Sequence, residues 1–160
     1  MSGPRKLDRL DRRILRQLQA SGRQSWVDLA AAVGLSPSPC LERVRRLEKD
    51  GVIRGYAALV EPAAVGASLL VFVEISLDYT TPDIFERFRD AVAGLPQIQE
   101  CHLVSGNFDY LLKARIGDMA EYRELLGLFL RTLPGVRDSH SFVVMETVKE
   151  TQAVHVPETG

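Results

Sequence analysis

The chain has 160 residues, of which 46% are hydrophobic, so it can form one large domain or two small ones with apolar cores. Two cysteines exclude a disulfide framework and a zinc cluster, and no apolar run reaches the roughly 20 residues that span a bilayer, so we expect a soluble cytoplasmic protein. The formal charge of -1 hides a division, because residues 1–60 hold 12 Lys/Arg against 6 Asp/Glu and residues 61–160 hold 8 against 15.

This division predicts a basic head that binds a polyanion and an acidic body with another task. We predict a head over residues 1–60, a hinge over 61–66, a body over 67–150 and a tail over 151–160. Three helices are expected in the head. Apolar residues recur at helical spacing from Leu7 to Leu18, Ser25 and Gly34 bound a second helix, and a third begins in the Ser-Pro-Ser-Pro run and ends at Gly51.

The third predicted helix follows a Gly-containing turn and has a basic polar side, which matches the helix-turn-helix pattern. On a helical wheel Arg46 lies on the exposed side and Arg43 on its flank, where guanidinium groups can pair with phosphates or guanine edges. The segment VIRGYAALV is predicted to form a strand, the wing. A solvated basic surface is the alternative. The candidate DNA-binding residues are Ser36, Ser38, Glu42, Arg43, Arg45, Arg46, Lys49 and, on the wing, Arg54.

The body alternates strand and helix patterns in the order βαββαβ, which is ferredoxin-like. The predicted strands are SLLVFVEISL, IQECHLVS, FDYLLKARI and VRDSHSFVVMETV, and the predicted helices are TPDIFERFRDAVAGL, capped by Thr81, and DMAEYRELLGLFLRTL. The fold class is therefore α+β. A three-helix winged helix-turn-helix domain precedes a ferredoxin-like αβ-sandwich domain.

Gly106-Asn107 predicts a two-residue hairpin turn between the second and third strands of the body. The resulting register sets Glu100 opposite Lys113 and gives the hairpin one apolar face. The first and fourth strands carry apolar residues on the other face as well, which favours packing of that face on another subunit. Scattered apolar surface residues are the alternative.

No catalytic or metal-binding constellation is evident in the sequence. The histidines His102, His140 and His155 lack metal-ligand spacing, and adjacent residues such as Asp138, Ser139 and His140 do not converge as a triad. We therefore expect no catalytic residue, metal or cofactor. An enzyme on a ferredoxin-like scaffold and a sensing module acting through protein partners remain the alternatives to a DNA-binding protein, and the basic head argues against both.

The segments GLSPSPCLERVRRLE, ASLLVFVEI, ECHLVSGNFDYLLK, LPGV and FVVMETVK resemble the Lrp/AsnC (feast/famine) family of transcription regulators, and the resemblance covers nearly the whole chain. It implies a helix-turn-helix joined to an amino-acid-sensing domain, and a homodimer that assembles further, often to an octamer, on double-stranded DNA. The implied effector is leucine or another aliphatic amino acid, bound between subunits near the hairpin. A local regulator of a proline or branched-chain amino-acid catabolic operon is the alternative.

Carried over position by position, the resemblance implies an effector site near the hairpin. Asn107 stands where relatives commonly have Asp, and Phe142 where they commonly have Tyr. A zwitterionic amino acid needs amides for its carboxylate, acceptors for its ammonium and an apolar pocket for its side chain. The implied effector residues are Leu103, Ser105, Gly106, Asn107, Asp109, Met119, Phe142, Val143 and Val144.

Overall fold

The computed structural model describes residues 6–80 and 82–158 and divides them into two compact units. The first unit comprises residues 6–58 together with the C-terminal segment 150–158, and the second comprises residues 59–149. The predicted hinge contains a short 3₁₀ helix, Pro62–Val65. The predicted tail, residues 151–160, is grouped with the first unit over its described residues.

The first unit is built from three helices: α1 (Arg9–Ala20), α2 (Trp26–Val33) and α3 (Pro37–Lys49). The predicted cap of α2 is confirmed, because the Ser25 side chain accepts from the Asp28 amide and Gly34 ends the helix in the left-handed conformation. Proline is tolerated in the first turn of α3, where amides have no intrahelical acceptor. The fully buried core of this unit consists of Ile14, Leu29, Ala30, Val33, Cys40, Val44 and Leu47.

The predicted wing strand is wrong, because residues 54–60 form neither helix nor strand. The amides of Val52 and Ile53 donate to the Leu47 carbonyl at 2.9 and 3.0 Å, so the start of this segment closes the end of α3. Gly55 follows at φ 154°, a conformation that L side chains rarely adopt. Among the described residues of this unit no strand is available as a ladder partner.

The second unit has the predicted βαββαβ order: β1 (Leu69–Leu77), α4 (Ile84–Ala93), β2 (Ile98–Leu103), β3 (Tyr110–Ile116), α5 (Met119–Thr132) and β4 (Val136–Val143). The four strands form one antiparallel sheet in the order β2-β3-β1-β4. Both helices contribute to the apolar core, through residues such as Phe88 and Phe129. Asp83 occupies the N-cap position of α4 at φ 58°, without a side-chain capping hydrogen bond, and the predicted cap Thr81 lies outside the described residues.

The predicted hairpin register is confirmed, since Glu100 pairs with Lys113 and Leu103 with Tyr110. The predicted two-residue turn is wrong. Residues 104–109 connect the strands, and positive φ, which the favoured two-residue turns require, does not occur at Gly106 or Asn107. The Val104 amide instead donates to the Asp109 carbonyl at 2.9 Å, which closes a longer loop.

Candidate functional site

The solvent side of α3 is the candidate DNA-binding surface of the first unit. Cys40, Val44 and Leu47 anchor the opposite side of the helix in the core, and this fixes which side chains face outward. A basic helix face can bind phosphates and base edges in the major groove. The exposed members of the predicted set are Ser36, Ser38, Glu42, Arg45 and Lys49, together with Arg54 beyond the helix.

Arg43 and Arg46 point toward α1 and bind its carboxylates. Asp11 is 1% exposed, and its Oδ1 accepts from Arg43 Nη1 at 2.7 Å and from Arg46 Nη2 at 3.0 Å. Arg43 Nη1 also lies 2.6 Å from Asp8 Oδ2. The wheel placed Arg46 on the exposed side, and 36% of its side chain is exposed although its Nη2 binds Asp11. A helical wheel shows the positions of residues in one helix only. It therefore does not reveal a contact with a carboxylate of another helix.

The charges of this cluster are matched, as a buried carboxylate requires. Hydrogen bonds to Asp8 and Asp11 raise the pKa of Arg43 despite its partial burial. For Asp8, burial would raise the pKa, but the Asp11 amide and the Arg43 guanidinium outweigh it and hold the pKa below its ordinary value. The capping-box spacing of Asp8 and Asp11 is visible in the sequence, whereas their arginine partners are not.

The C-terminal segment lies along α1 and was not recognised in the sequence. The Gln19 side chain donates to the Val154 carbonyl at 2.9 Å and accepts from the Val154 amide at 2.7 Å. Arg12 and Arg16 donate to the carbonyls of Pro157 and Val156 at 3.4 and 3.5 Å. The primary amide of Gln19 thus binds the segment as a backbone peptide would in a ladder.

Asp109 lies at the end of the hairpin loop and binds β1 and the loop that follows β1. Its Oδ2 accepts from the Leu77 amide at 2.7 Å, and its Oδ1 accepts from the Tyr79 hydroxyl. Its own amide donates to the Ile75 carbonyl at 2.9 Å. The hydrogen bond to Asp109 raises the pKa of Tyr79. Both carboxylate oxygens of Asp109, a predicted effector residue, therefore already accept a hydrogen bond within the chain, and Tyr79 is a residue that sequence reasoning missed.

The structure separates the predicted effector residues into two groups at opposite ends of the sheet. Tyr110, next to Asp109, pairs with Ile75, whereas Val143 pairs with Val71, four residues away along β1. At roughly 3.3 Å per residue this separation is about 13 Å. The hairpin group is Leu103, Ser105, Gly106, Asn107 and Asp109, and the far group is Met119, Phe142, Val143 and Val144.

Both groups are accessible to a ligand. Leu103, Met119 and Phe142 are exposed although they are apolar, and Met119 begins α5 at the surface of the unit. The predicted effector residues of one chain therefore form two exposed groups that are not joined within the chain.

Glu100 of β2 lies beside two basic side chains. His102 lies 3.2 Å from Glu100, and this contact together with Lys113 lowers the pKa of that carboxyl despite its partial burial. Within residues 6–80 and 82–158, no three His, Cys, Asp or Glu side chains are grouped to hold a metal ion. No helix in this part of the chain is both long and apolar enough to cross a bilayer.

Two family models match the chain, each over one of the regions described above. Residues 7–54 match a winged helix-turn-helix DNA-binding domain, and residues 70–154 match the Lrp/AsnC ligand binding domain. The first match contains α1 to α3, and the second contains the sheet, both helices of the second unit and both groups of predicted effector residues.

Comparison with individual proteins indicates the same family. The chain is 61% identical to the leucine-responsive regulatory protein of Klebsiella pneumoniae over 91% of this chain and 88% of that protein. A transcriptional regulator of Neisseria meningitidis, solved with L-methionine, superposes with a TM-score of 0.89 at 37% identity and covers 94% of this chain and 97% of its own. The feast or famine regulatory protein of M. tuberculosis, also solved with L-methionine, gives 0.86 at 35% identity, covering 95% of this chain and 100% of its own.

These relatives are regulatory proteins, and none of them is named as an enzyme. The helix-turn-helix head and the ligand-binding domain account for the basic and the acidic parts of the chain. The chain belongs to the Lrp/AsnC family: it is a DNA-binding transcription regulator that responds to an amino acid, and it is not an enzyme.

Proposed function

We propose that α3 enters the major groove of double-stranded DNA and that a second copy of the chain completes the effector site. The exposed side chains Ser38, Arg45 and Lys49 carry the DNA contacts, because Arg43 and Arg46 are bound to Asp11. Arg45 and Lys49 neutralise phosphates, and Ser38 at the helix start reaches a phosphate or a base edge.

The effector is L-leucine or another aliphatic amino acid. The names of the relatives support this class, since one is a leucine-responsive protein and two were solved with L-methionine. Amides of the loop at Gly106 and Asn107 bind the carboxylate, Asp109 accepts from the ammonium, and apolar side chains surround the aliphatic group. Regulation of a single proline or branched-chain amino-acid catabolic operon is the second candidate within this class.

The separation of the two effector groups is the observation that carries the proposal. Backbone positions about 13 Å apart along one sheet are too far apart for both groups to enclose one small amino acid, whereas the hairpin group of one copy and the far group of another can do so. The protein is therefore a homodimer or a larger cytoplasmic assembly, up to an octamer. The ligand shifts the assembly by binding one arrangement of copies better than another, a coupling of about 1–3 kcal/mol when typical.

Mixed oligomers test this arrangement. Asp109→Ala removes the ammonium acceptor, and Met119→Glu places a charge in the far group at a helix start, where an acidic residue is tolerated. Each variant alone is expected to lose calorimetric binding of L-leucine. Refolding them together generates hybrid sites free of both substitutions, so that binding returns to part of the mixture. A mixture that binds no better than its two components contradicts a site shared between copies.

A further inference from the structure

Tyr79 lies where an effector ammonium would have to bind. Its hydroxyl donates to Asp109 Oδ1, while Oδ2 is held by the Leu77 amide at 2.7 Å. The amide belongs to the backbone of β1 and is fixed, whereas the hydroxyl belongs to an exposed side chain in the loop after the strand. Of the two donors, only Tyr79 can leave without disrupting the sheet.

The ring of Tyr79 rests on the surface of the domain. It is 61% exposed and contacts Phe85 of α4 at a centroid distance of 5.6 Å. Phe85 and Leu103 line an open groove of about 420 Å³, a volume within the range of small-molecule sites. Displacement of Tyr79 from Asp109 therefore frees a carboxylate oxygen on the residue before Tyr110, which also lines this groove.

We propose that Tyr79 is an internal competitor of the effector: its hydroxyl occupies Asp109 in the free protein, and the ammonium of an amino acid must displace it. This inference rests on the proposed function, because it requires Asp109 to accept from the ammonium. Displacement breaks this hydrogen bond. The apparent affinity for the effector is then the intrinsic affinity multiplied by the fraction of molecules in which Asp109 is free. Tyr79 thereby sets the effector concentration at which the regulator responds.

Tyr79→Phe tests the competition, because it deletes the hydroxyl and keeps the ring against Phe85. In the full-length protein, titration calorimetry with L-leucine and with L-methionine is expected to give a Kd about three- to tenfold lower than for the wild type. Tyr56→Phe is the matched control, since the Tyr56 hydroxyl also donates to a carboxylate, Glu48 at 2.9 Å, but in the first unit. Its Kd should equal that of the wild type.

The alternatives give different results. A Tyr79→Phe protein that binds as the wild type does, or more weakly, overturns the competition, and weaker binding would identify Tyr79 as a ligand of the effector. Asp109→Ala separates this failure from that of the proposed function. If the wild type binds and Asp109→Ala does not, only the role of Tyr79 is lost. If Asp109→Ala binds normally, or no variant binds either amino acid, the proposed site and the competition both fall.

Discussion

The buried carboxylate of Asp11 accepts a hydrogen bond at 2.7 Å from Arg43, which lies 32 residues later on α3. Asp11 belongs to the capping box of α1, so the contact joins the start of the first helix to the middle of the third. Arg46 adds a second guanidinium at 3.0 Å. Two arginines that would suit DNA on composition alone therefore hold the helices of the head together.

Replacement of Asp11 by alanine is expected to destabilise the first unit by about 2 kcal/mol, because it removes the buried carboxylate that accepts hydrogen bonds from two guanidinium groups. Trp26 is the only tryptophan and begins α2, so its fluorescence during chemical denaturation reports on this unit. Glu42→Ala, at an exposed position of α3, should change the free energy of unfolding by less than about 0.5 kcal/mol. Equal stability of the two variants would show that the cluster contributes nothing.

The lowered pKa of Asp8 predicts a dependence of stability on acid. A carboxyl whose folded pKa lies below its unfolded value stabilises the fold above that value, here 3.8, and the contribution is lost as the pH falls through the folded pKa. The wild type should exceed Asp8→Asn in free energy of unfolding near neutral pH by about 1 kcal/mol or less, since the side chain is half exposed. The difference in free energy of unfolding should vanish in strong acid. A constant difference at all pH values would contradict a stabilising role of the Asp8 carboxylate.

Arg45 and Arg46 are adjacent in sequence and are expected to differ in function. Arg45→Ala should reduce the slope of log affinity against log salt by about 1, because an exposed guanidinium releases a counterion from the phosphates. Arg46→Ala should leave this slope near the wild-type value and lower the stability of the first unit instead. Fluorescence anisotropy of a labelled duplex at several salt concentrations measures both slopes, and the reverse pattern would reject the assignment.

The C-terminal segment should detach when Gln19 is replaced. The Val154 amide donates to Gln19 Oε1 at 2.7 Å, so Gln19→Ala should accelerate hydrogen exchange at that amide. Gln17→Ala, on the same helix, should leave the exchange rate unchanged. If the Val154 amide exchanges at the same rate in all three proteins, the segment is held by other contacts.

The sequence was sufficient for features that depend on local patterns. The apolar face of the hairpin supported a register that pairs Glu100 with Lys113, although the two-residue turn that set this register is wrong, and the capping residues Ser25 and Gly34 predicted the bounds of α2. Both rest on periodicity and on side-chain contacts within a few residues, which a single sequence contains. The family resemblance then added the functions of the two units.

Other features depend on distant partners and could not be predicted. The wing strand failed because a strand needs backbone partners, and the amides of Val52 and Ile53 close α3 instead. The orientation of Arg46 depends on Asp11, a residue of another helix. The division of the predicted effector residues into two groups depends on antiparallel pairing, which places the hairpin and the end of β4 at opposite ends of the sheet.

The coupling of DNA binding to an amino acid through Asp109 is tested most directly by measuring duplex affinity of the full-length protein with and without saturating L-leucine, for the wild type and Asp109→Ala. The account predicts salt-dependent binding for both proteins, a shift of about five- to 150-fold on addition of L-leucine for the wild type, and no shift for Asp109→Ala. An equal shift in the two proteins, or no binding to any duplex at low salt, would contradict it.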